Sequence, residues 1–262
     1  MIFDRVKSYY QISADIFSFL KILNVKLIIT ISRKLNIKTS HTRDKIFTFN
    51  IIINKNYRKI YLRKEDLIIF EEVFLKENYR FKNLKNISYI VDLGAHIGFT
   101  SLFIYYNFGI NAKMICVEPS HSNFKLLKLN LNGIPNVFLE NYAISSNGLK
   151  VYFDESLSSY NYKISKDKSL KEIETKTISS LIDKYDLKSI DFIKIDIEGS
   201  EEELFSNNIN WIKVVKNLAI EIHHNYSIYQ LNNEIKEVSD LQTIEIKYNQ
   251  KQLPEVYYLS LN

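Results

Sequence analysis

Two apolar stretches in the second half of the chain, residues 190–197 and 218–223, carry charged side chains at alternate positions. Alternate residues of a strand point to the same face, and a central strand of a parallel sheet is normally apolar on both faces. Acids and bases on one such face predict a catalytic cluster at the carboxyl ends of the strands, where open α/β sheets bind ligands. The charged positions are Lys194, Asp196 and the following Glu198 in the first stretch, and Glu221 and His223 in the second.

A purely structural alternative is a buried ion pair between Lys194 and Glu221. Desolvation offsets much of the attraction within a buried ion pair, so such pairs contribute uncertainly to stability. A whole charged face is therefore better explained by catalysis.

A glycine-rich turn lies upstream, in residues 89–101. An apolar run ends in Asp92, turns on Gly94 and Gly98, and leads into an apolar helix. Glycines let the backbone approach a ligand closely, and the first turn of a helix has N–H groups that are free to bind it. This junction predicts a cofactor-binding loop.

The acid Glu118 ends the next apolar run, 24 residues beyond Gly94, where it can accept hydrogen bonds from ribose hydroxyls. A dinucleotide-binding loop would have a third glycine, which this loop lacks. The negative charge of Asp92 would also repel a pyrophosphate, whereas it would attract a positively charged sulfonium. S-adenosylmethionine is therefore the predicted cofactor. Two alternatives stay open, a nicotinamide-dependent oxidoreductase and a nucleoside-binding module without turnover.

Short apolar runs alternate with helical stretches from residue 87 onward, which predicts a doubly wound, mostly parallel α/β sheet. The final two runs predict an antiparallel hairpin that closes the sheet. The predicted strands are 89–93, 113–117, 136–139, 190–197, 217–222, 243–247 and 256–261, and the helices are 99–106, 123–130, 178–185 and 200–205.

Residues 145–176 interrupt this alternation with a strand-like run at 149–153 and a stretch rich in Ser, Lys and Tyr at 154–171. Connections of this length are often binding loops. The segment is interpreted as an insertion that shapes the acceptor pocket, with a mobile surface loop as the alternative.

The chain divides into an N-terminal extension, residues 1–56, and a catalytic domain, residues 57–262. The extension is predicted to be helical to about residue 45, with a break at 36–42, and is followed by strands at 47–53 and 59–62 and a helix at 65–79. Residues 1–90 hold 18 Lys/Arg against 8 Asp/Glu, a net charge of +10, whereas residues 91–262 have a net charge of −5.

The positive charge of residues 1–90 predicts peripheral contact with an anionic membrane or a lipid-linked glycan. The alternative is that these charges are simply solvated at the surface. No nucleic-acid partner is expected. Residues 16–31 are shorter than the roughly 20 residues of a membrane span and contain Lys21 and Lys26, so they predict a docked or interfacial helix. No secretory signal is visible, and a cytoplasmic location is expected.

The chain resembles the FkbM-type S-adenosylmethionine-dependent methyltransferases over roughly residues 57–224. The most specific match is the run D-F-I-K-I-D-I-E-G-S-E at 191–201. This resemblance implies a seven-stranded class I methyltransferase fold and O-methylation of a hydroxyl on a sugar, glycan, glycolipid or natural product. The other matching segments are V-D-L-G-A-H-I-G at 91–98, V-E-P at 117–119, N-Y-A-I-S at 141–145, T-I-S-S-L-I at 177–182 and E-I-H at 221–223.

The resemblance also implies roles for single residues. Asp196 would lie near the transferring methyl, and the family usually has Asn where this chain has His96. The implied cofactor contacts are Asp92, Gly94 and Gly98 for the methionine end, His96 in the same loop, Glu118 for the ribose and Ala143 for the adenine.

An alcohol needs a base before it becomes a good nucleophile. The predicted candidates are Asp196, His223 and, if desolvation lowers its pKa, Lys194. A divalent metal ion held by Asp196, Glu198 and His223 is an alternative, but their spacing alone supports it weakly, and no metal ligand is assigned.

Overall fold

The described residues up to 63 form two helices and a β-hairpin, whose second strand crosses the predicted end of the extension at residue 56. A computed structural model describes residues 2–35, 45–154, 163–165, 168–223, 226–248 and 254–261, so the break predicted at 36–42 lies outside the described residues. Alternate residues of the first strand, Phe49, Ile51 and Ile53, are buried, as period-two patterning requires. The elements are α1 (Ile2–Ile12), α2 (Ile16–Lys34), β1 (Ile46–Ile53) and β2 (Asn56–Arg63).

The helix predicted over residues 65–79 is shorter and irregular. It consists of a 3₁₀ turn (Lys64–Asp66), α3 (Leu67–Phe70) and a π turn (Glu71–Leu75), after which the chain runs to the central sheet without regular structure. The next elements alternate as predicted. They are β3 (Tyr89–Leu93), α4 (Phe99–Phe108), β4 (Lys113–Val117), α5 (His121–Asn130) and β5 (Val137–Glu140).

The described residues of the insertion contain four short strands, and a fifth, β6, immediately precedes it. β6 and β10 pair in parallel at its two ends, and β8, β7 and β9 form an antiparallel sheet between them. Most of the loop predicted at 154–171 lies outside the described residues. The strands are β6 (Ala143–Ile144), β7 (Val151–Asp154), β8 (Lys163–Ser165), β9 (Lys171–Ile173) and β10 (Thr175–Lys176).

The last third of the chain completes the α/β unit. Helix α8 has no counterpart in the sequence prediction, whereas the closing hairpin was predicted. These elements are α6 (Ile178–Tyr185), β11 (Phe192–Ile195), α7 (Glu201–Ser206), β12 (Asn217–Ile220), α8 (Ile228–Ile235), β13 (Gln242–Tyr248) and β14 (Pro254–Ser260).

Seven strands form the central sheet in the order β13-β14-β12-β11-β3-β4-β5. Five of them are parallel neighbours, and β14 runs antiparallel to both β12 and β13. The predicted doubly wound sheet is therefore confirmed. The central positions are apolar and fully buried, including Ile90, Val91, Ile115, Ile193 and Leu218.

Strand β11 ends at Ile195, two residues earlier than predicted. Glu198 and Gly199 both have left-handed backbone conformations, with φ of 54° and 95°, and cannot continue an extended strand. Asp196 and Glu198 therefore lie in the loop after β11 and not at alternate strand positions, which corrects the period-two interpretation of this run.

The extension and the sheet share a hydrophobic core. The Phe70 ring contacts Phe49 of β1 and Phe99 of α4 with ring centroids 5.6 and 6.0 Å apart, and Phe74 lies 5.5 Å from Phe99. The boundary predicted after Asn56 lies at the turn of the β1–β2 hairpin, whose two strands pair along their whole length. Among the residues that the structure describes, no helix is long and apolar enough to cross a membrane.

Candidate active site

A cavity of about 340 Å³ opens at the carboxyl ends of β3, β4, β11 and β12. This is the edge at which the sequence predicted a ligand site. Seven of the nine predicted site residues line the cavity, and Asp92 and Gly98 do not. The seven are Gly94, His96, Glu118, Ala143, Lys194, Asp196 and His223.

The turn after β3 contacts the loop after β11. Gly94 has a φ of 75°, and a Cβ atom built on it would lie 1.7 Å from the backbone oxygen of Asp196. No side chain fits in that space, so only glycine allows the two segments to approach. This contact brings the predicted cofactor loop against the predicted catalytic residue.

Lys194 is 3% exposed and holds these two segments together. Its ammonium donates to the Gly94 carbonyl oxygen at 2.7 Å and lies 3.1 Å from Asp196 Oδ2. Burial alone would lower the pKa of Lys194, but the charges of Asp196, Asp92 and Glu221 outweigh it and raise the pKa above its ordinary value. Lys194 therefore stays protonated, so the condition for its predicted role as a base, a pKa lowered by desolvation, is not met.

Asp92 and Gly98 lie behind the cavity wall. The Ser101 hydroxyl donates to Asp92 Oδ2 at 2.5 Å, and the other carboxylate oxygen, Oδ1, lies 3.5 Å from the Lys194 ammonium. Gly98 begins α4 with a φ of 88° and packs against Leu127. Asp92 thus supports Lys194, and Gly98 supports the start of α4. Their predicted contact with the cofactor stays a prediction.

Glu118 is held at the end of β4 by donors from its own surroundings. Its Oε2 accepts from the His96 backbone N–H at 2.8 Å, and its Oε1 accepts from the Ser120 N–H at 2.9 Å. Burial raises the pKa of Glu118, and the positive charge of His96 and these hydrogen bonds partly oppose that rise. The carboxylate and the small Ala143 lie in one cavity, as a ribose and an adenine would require.

His96 fits its position through its backbone. Its φ is 51°, a left-handed conformation in which Asn and His are enriched. The ring Nε2 lies 3.4 Å from Asp66 Oδ1, and Asp66 also accepts from Arg63 Nε at 2.8 Å. Burial would raise the pKa of Asp66, but His96 and Arg63 together lower it below its ordinary value. The His96 ring thus links the cofactor loop to the 3₁₀ turn that follows β2.

His223 is held in its charged form. Its Nδ1 donates to Glu201 Oε1 at 2.9 Å, and its Nε2 lies 3.7 Å from Glu198 Oε2. Burial would lower the pKa of His223, but the hydrogen bond to Glu201 and the charges of Asp196, Glu201 and Glu198 raise it to about 10. An imidazolium cannot accept a proton, so the assignment of His223 as the base is not supported.

Two carboxylates beside Asp196 titrate near neutral pH. Burial, reinforced by the charge of Asp196, raises the pKa values of Glu198 and Glu221 to about 8 each. The Tyr79 hydroxyl donates to Glu221 Oε1, and the Glu221 backbone N–H donates to Ile195 at the end of β11. Groups with pKa values near the working pH are suited to proton transfer.

Three residues of this cluster were missing from the predicted site. Glu221 had been recognised as a charge on the strand face, and Glu201 ends the 191–201 run that carries the resemblance. No sequence pattern marked Tyr79, because it reaches the cavity from the irregular segment between the π turn and β3. For the alternative of a metal site, the geometry favours Glu221 over Glu198. One ligand atom each from Asp196, Glu221 and His223 lie within 4.8 Å of one another.

The negative charge at this end of the sheet favours a cationic ligand. Asp196 Oδ1 is buried and has no hydrogen-bond partner among the described residues, and the surrounding carboxylates outnumber the cations Lys194 and His223. A sulfonium or an amine would compensate this negative charge. The residues present therefore fit S-adenosylmethionine.

The sheet order and a cavity at the carboxyl strand ends define a Rossmann-like class I methyltransferase. Residues 92–243, more than half of the chain, match the family described as Methyltransferase FkbM domain, and the chain belongs to this family. Family membership confirms the predicted choice of S-adenosylmethionine over a nicotinamide cofactor.

Individual relatives are distant. The chain is 24% identical over 196 residues to the methyltransferase sdnD of Sordaria araneosa, covering 60% of this chain and 74% of the relative. The crystal structure of methyltransferase FkbM from Methylobacillus flagellatus is 20% identical, with a TM-score of 0.50. That match covers 69% of this chain but only 44% of the Methylobacillus chain, so this chain spans less than half of that protein.

Proposed function

We propose that the chain transfers a methyl group from S-adenosylmethionine to a hydroxyl oxygen of a sugar, glycan, glycolipid or natural product. The observation that carries the proposal is the position of Asp196. Asp196 lines the cavity whose wall includes the Gly94 turn and Glu118, and its buried Oδ1 has no hydrogen-bond partner among the described residues. A proton acceptor beside a cofactor site is what methylation of an alcohol requires.

The chain's own residues divide into cofactor and acceptor groups. The Gly94 turn, Glu118 and Ala143 would hold the methionine end, the ribose and the adenine. When bound, S-adenosylmethionine supplies a methyl group on a positively charged sulfur, which a nucleophile displaces. The enzyme's main contribution is then to hold the acceptor oxygen in line.

Asp196 is the proposed proton acceptor. Its Oδ2 is fixed by the Lys194 ammonium, which leaves Oδ1 to receive a hydrogen bond from the acceptor hydroxyl and then its proton. Glu221, held by Tyr79, is the second carboxylate within reach of that proton. Lys194 and His223 stay charged and partly neutralise the carboxylate cluster.

Apolar side chains close the other side of the cavity. Ile68 and Ile69 come from α3, and Phe153 comes from β7 of the insertion. These walls reduce access of water to the reacting groups and leave room for an acceptor beside the cofactor. The position of Phe153 supports the proposal that the insertion shapes the acceptor pocket.

The test is transfer of labelled methyl from S-adenosylmethionine onto glycolipid, polysaccharide and small-molecule extracts. An ether product survives alkali, whereas a methyl ester releases methanol, so alkali treatment distinguishes an alcohol acceptor from a carboxylate. Mass spectrometry of the alkali-stable product then distinguishes an O-methyl from an N-methyl group. Asp196→Asn should lower kcat by about 100-fold or more, while cofactor affinity measured by calorimetry stays within about tenfold. Asp183→Asn, on the exposed side of α6, is the matched control.

Two results would overturn the proposal. If the Asp196→Asn variant turns over as fast as the unsubstituted chain, Asp196 takes no part in the reaction. S-adenosylmethionine binding without transfer to any extract, together with unimpaired biological activity of the Asp196→Asn variant, would favour a binding module that has lost turnover.

A further inference from the structure

Helix α2 is apolar on two sides. One side packs on the β1–β2 hairpin and buries Ile22 and Val25, which are 0% and 1% exposed. The opposite side, which we call the outer face of α2, is exposed to solvent. Its residues are Phe17, Leu20, Leu27, Ile31 and, just after the helix, Leu35, with exposures of 73%, 53%, 57%, 44% and 64%.

These five side chains form one stripe. Their spacing of three, four or seven residues follows the helical repeat, which places them on the side opposite Ile22 and Val25. Asn24 is the one polar residue within the stripe. Single exposed apolar residues are normal, but a continuous apolar stripe indicates a binding surface.

Basic residues flank the stripe. Lys21 and Lys34 lie on its two edges and are exposed, and α1 adds the exposed Arg5 and Lys7. Residues 2–35 contain six Lys/Arg and two Asp/Glu, a net charge of +4. Of the two acids, Asp15 is occupied by hydrogen bonds from Ser18. The surface therefore combines apolar area with positive charge.

We propose that the outer face of α2 binds the surface of an anionic lipid bilayer. The apolar stripe would lie at the boundary between headgroups and acyl chains, and the lysines on its edges would extend their ammonium groups to the anionic headgroups. Neither signal alone gives stable membrane association, but the two together do. A second copy of the chain is a poorer occupant, because pairing two outer faces brings Lys21 and Lys34 of both copies together.

The helix pair is fixed to the cavity wall. The Lys26 ammonium of α2 and the Tyr9 hydroxyl of α1 both bind the carboxylate of Glu71. Glu72, the next residue, lines the cavity. Membrane binding through α2 would therefore also anchor the segment that borders the acceptor pocket, which suits an acceptor held at a lipid surface.

The test is co-sedimentation of the full chain with vesicles of equal parts phosphatidylglycerol and phosphatidylcholine, and with phosphatidylcholine alone. We expect binding to the anionic vesicles that weakens as salt is raised. Leu20→Glu/Leu27→Glu should lower that binding by about tenfold or more, because it places charge in the stripe. Ile110→Glu/Leu129→Glu, at exposed apolar positions elsewhere, is the matched control and should bind like the original chain.

A charge variant gives an independent measurement. Lys21→Glu/Lys34→Glu should weaken binding to anionic vesicles and reduce its salt dependence, with unchanged thermal unfolding as the check on folding. Absence of vesicle binding, or equal binding by Leu20→Glu/Leu27→Glu, would overturn the proposal. So would a dimer in sedimentation velocity that Leu20→Glu/Leu27→Glu dissociates, since the occupant would then be a second copy.

Discussion

Lys194 of β11 and Asp92 of β3 are direct partners in the parallel ladder, with the ammonium 3.5 Å from the Asp92 carboxylate. Both side chains are at most 3% exposed. The same ammonium reaches Asp196 and the Gly94 carbonyl oxygen, so one buried cation joins the ends of the two central strands. The catalytic end of the sheet depends on this lysine for its geometry as well as its charge.

Replacing Lys194 with Met should therefore destabilise the fold. The substitution preserves much of the volume but leaves Asp92 and Asp196 without their cation, and breaking a buried ion pair typically costs about 3–5 kcal/mol. Urea unfolding measures the change in unfolding free energy. Lys216→Met is the control, because Lys216 is 52% exposed in its pair with Asp191. It should cost less than about 1 kcal/mol. Equal costs for the two variants would contradict the role given to Lys194.

Gly94→Ala should abolish S-adenosylmethionine binding and lower the unfolding free energy by about 3 kcal/mol or more, because the new Cβ overlaps the Asp196 carbonyl. Gly133→Ala is a matched control, since Gly133 has a similar φ of 74° but no atom within 4 Å of the added Cβ. That variant should cost about 1–2 kcal/mol and leave cofactor binding intact. Both variants are measured by calorimetry with S-adenosylmethionine and by urea unfolding. The two variants share the backbone strain, so the difference between them reports the steric overlap.

Glu201 acts on the site through His223. Removing its charge with Glu201→Gln weakens the interaction that holds the imidazolium, so the pKa of His223 should fall from about 10 toward its ordinary range. Two-dimensional ¹H–¹⁵N NMR of the imidazole nitrogens, titrated with pH, measures this directly. Glu202→Gln changes the exposed neighbouring acid and should leave the His223 pKa unchanged. An unaltered His223 titration in Glu201→Gln would mean that another group keeps the ring charged.

Stability without ligand should decrease as the pH rises above the slightly acidic range. Glu198 and Glu221 have folded-state pKa values of about 8 against 4.5 when unfolded, so the folded chain binds more protons between those values. His223 acts in the same direction between 6.5 and about 10. Asp66 has a lowered pKa, so its contribution is lost instead as the pH falls below about 4.

The measurement is the free energy of urea unfolding at a series of pH values. It should be highest near pH 5 and fall toward pH 9. Glu198→Gln/Glu221→Gln should make the decline between pH 5 and 8 shallower, because the substituted side chains no longer titrate. An unchanged slope in that variant would show that the two carboxylates are not the source.

Local patterns were sufficient for most of the central sheet. The runs at 89–93 and 113–117 are strands with the predicted bounds, because a continuous apolar run between turn residues has few other stable conformations. The end of β11 was not predictable by alternation. Whether Asp196 and Glu198 continue a strand depends on the left-handed backbone at 198–199, which an alternating pattern of side chains does not specify.

Spacing within single short segments was enough to predict the sheet class, the glycine turn with Glu118, and the charged residues in and after β11 and β12. The protonation states of those residues follow from the folded arrangement. Lys194 stays an ammonium because Asp92, Asp196 and Glu221 surround it, and His223 stays charged because Glu201 binds its ring. Protonation depends on the sum of burial and neighbouring charge, and those neighbours come from segments far apart in the chain.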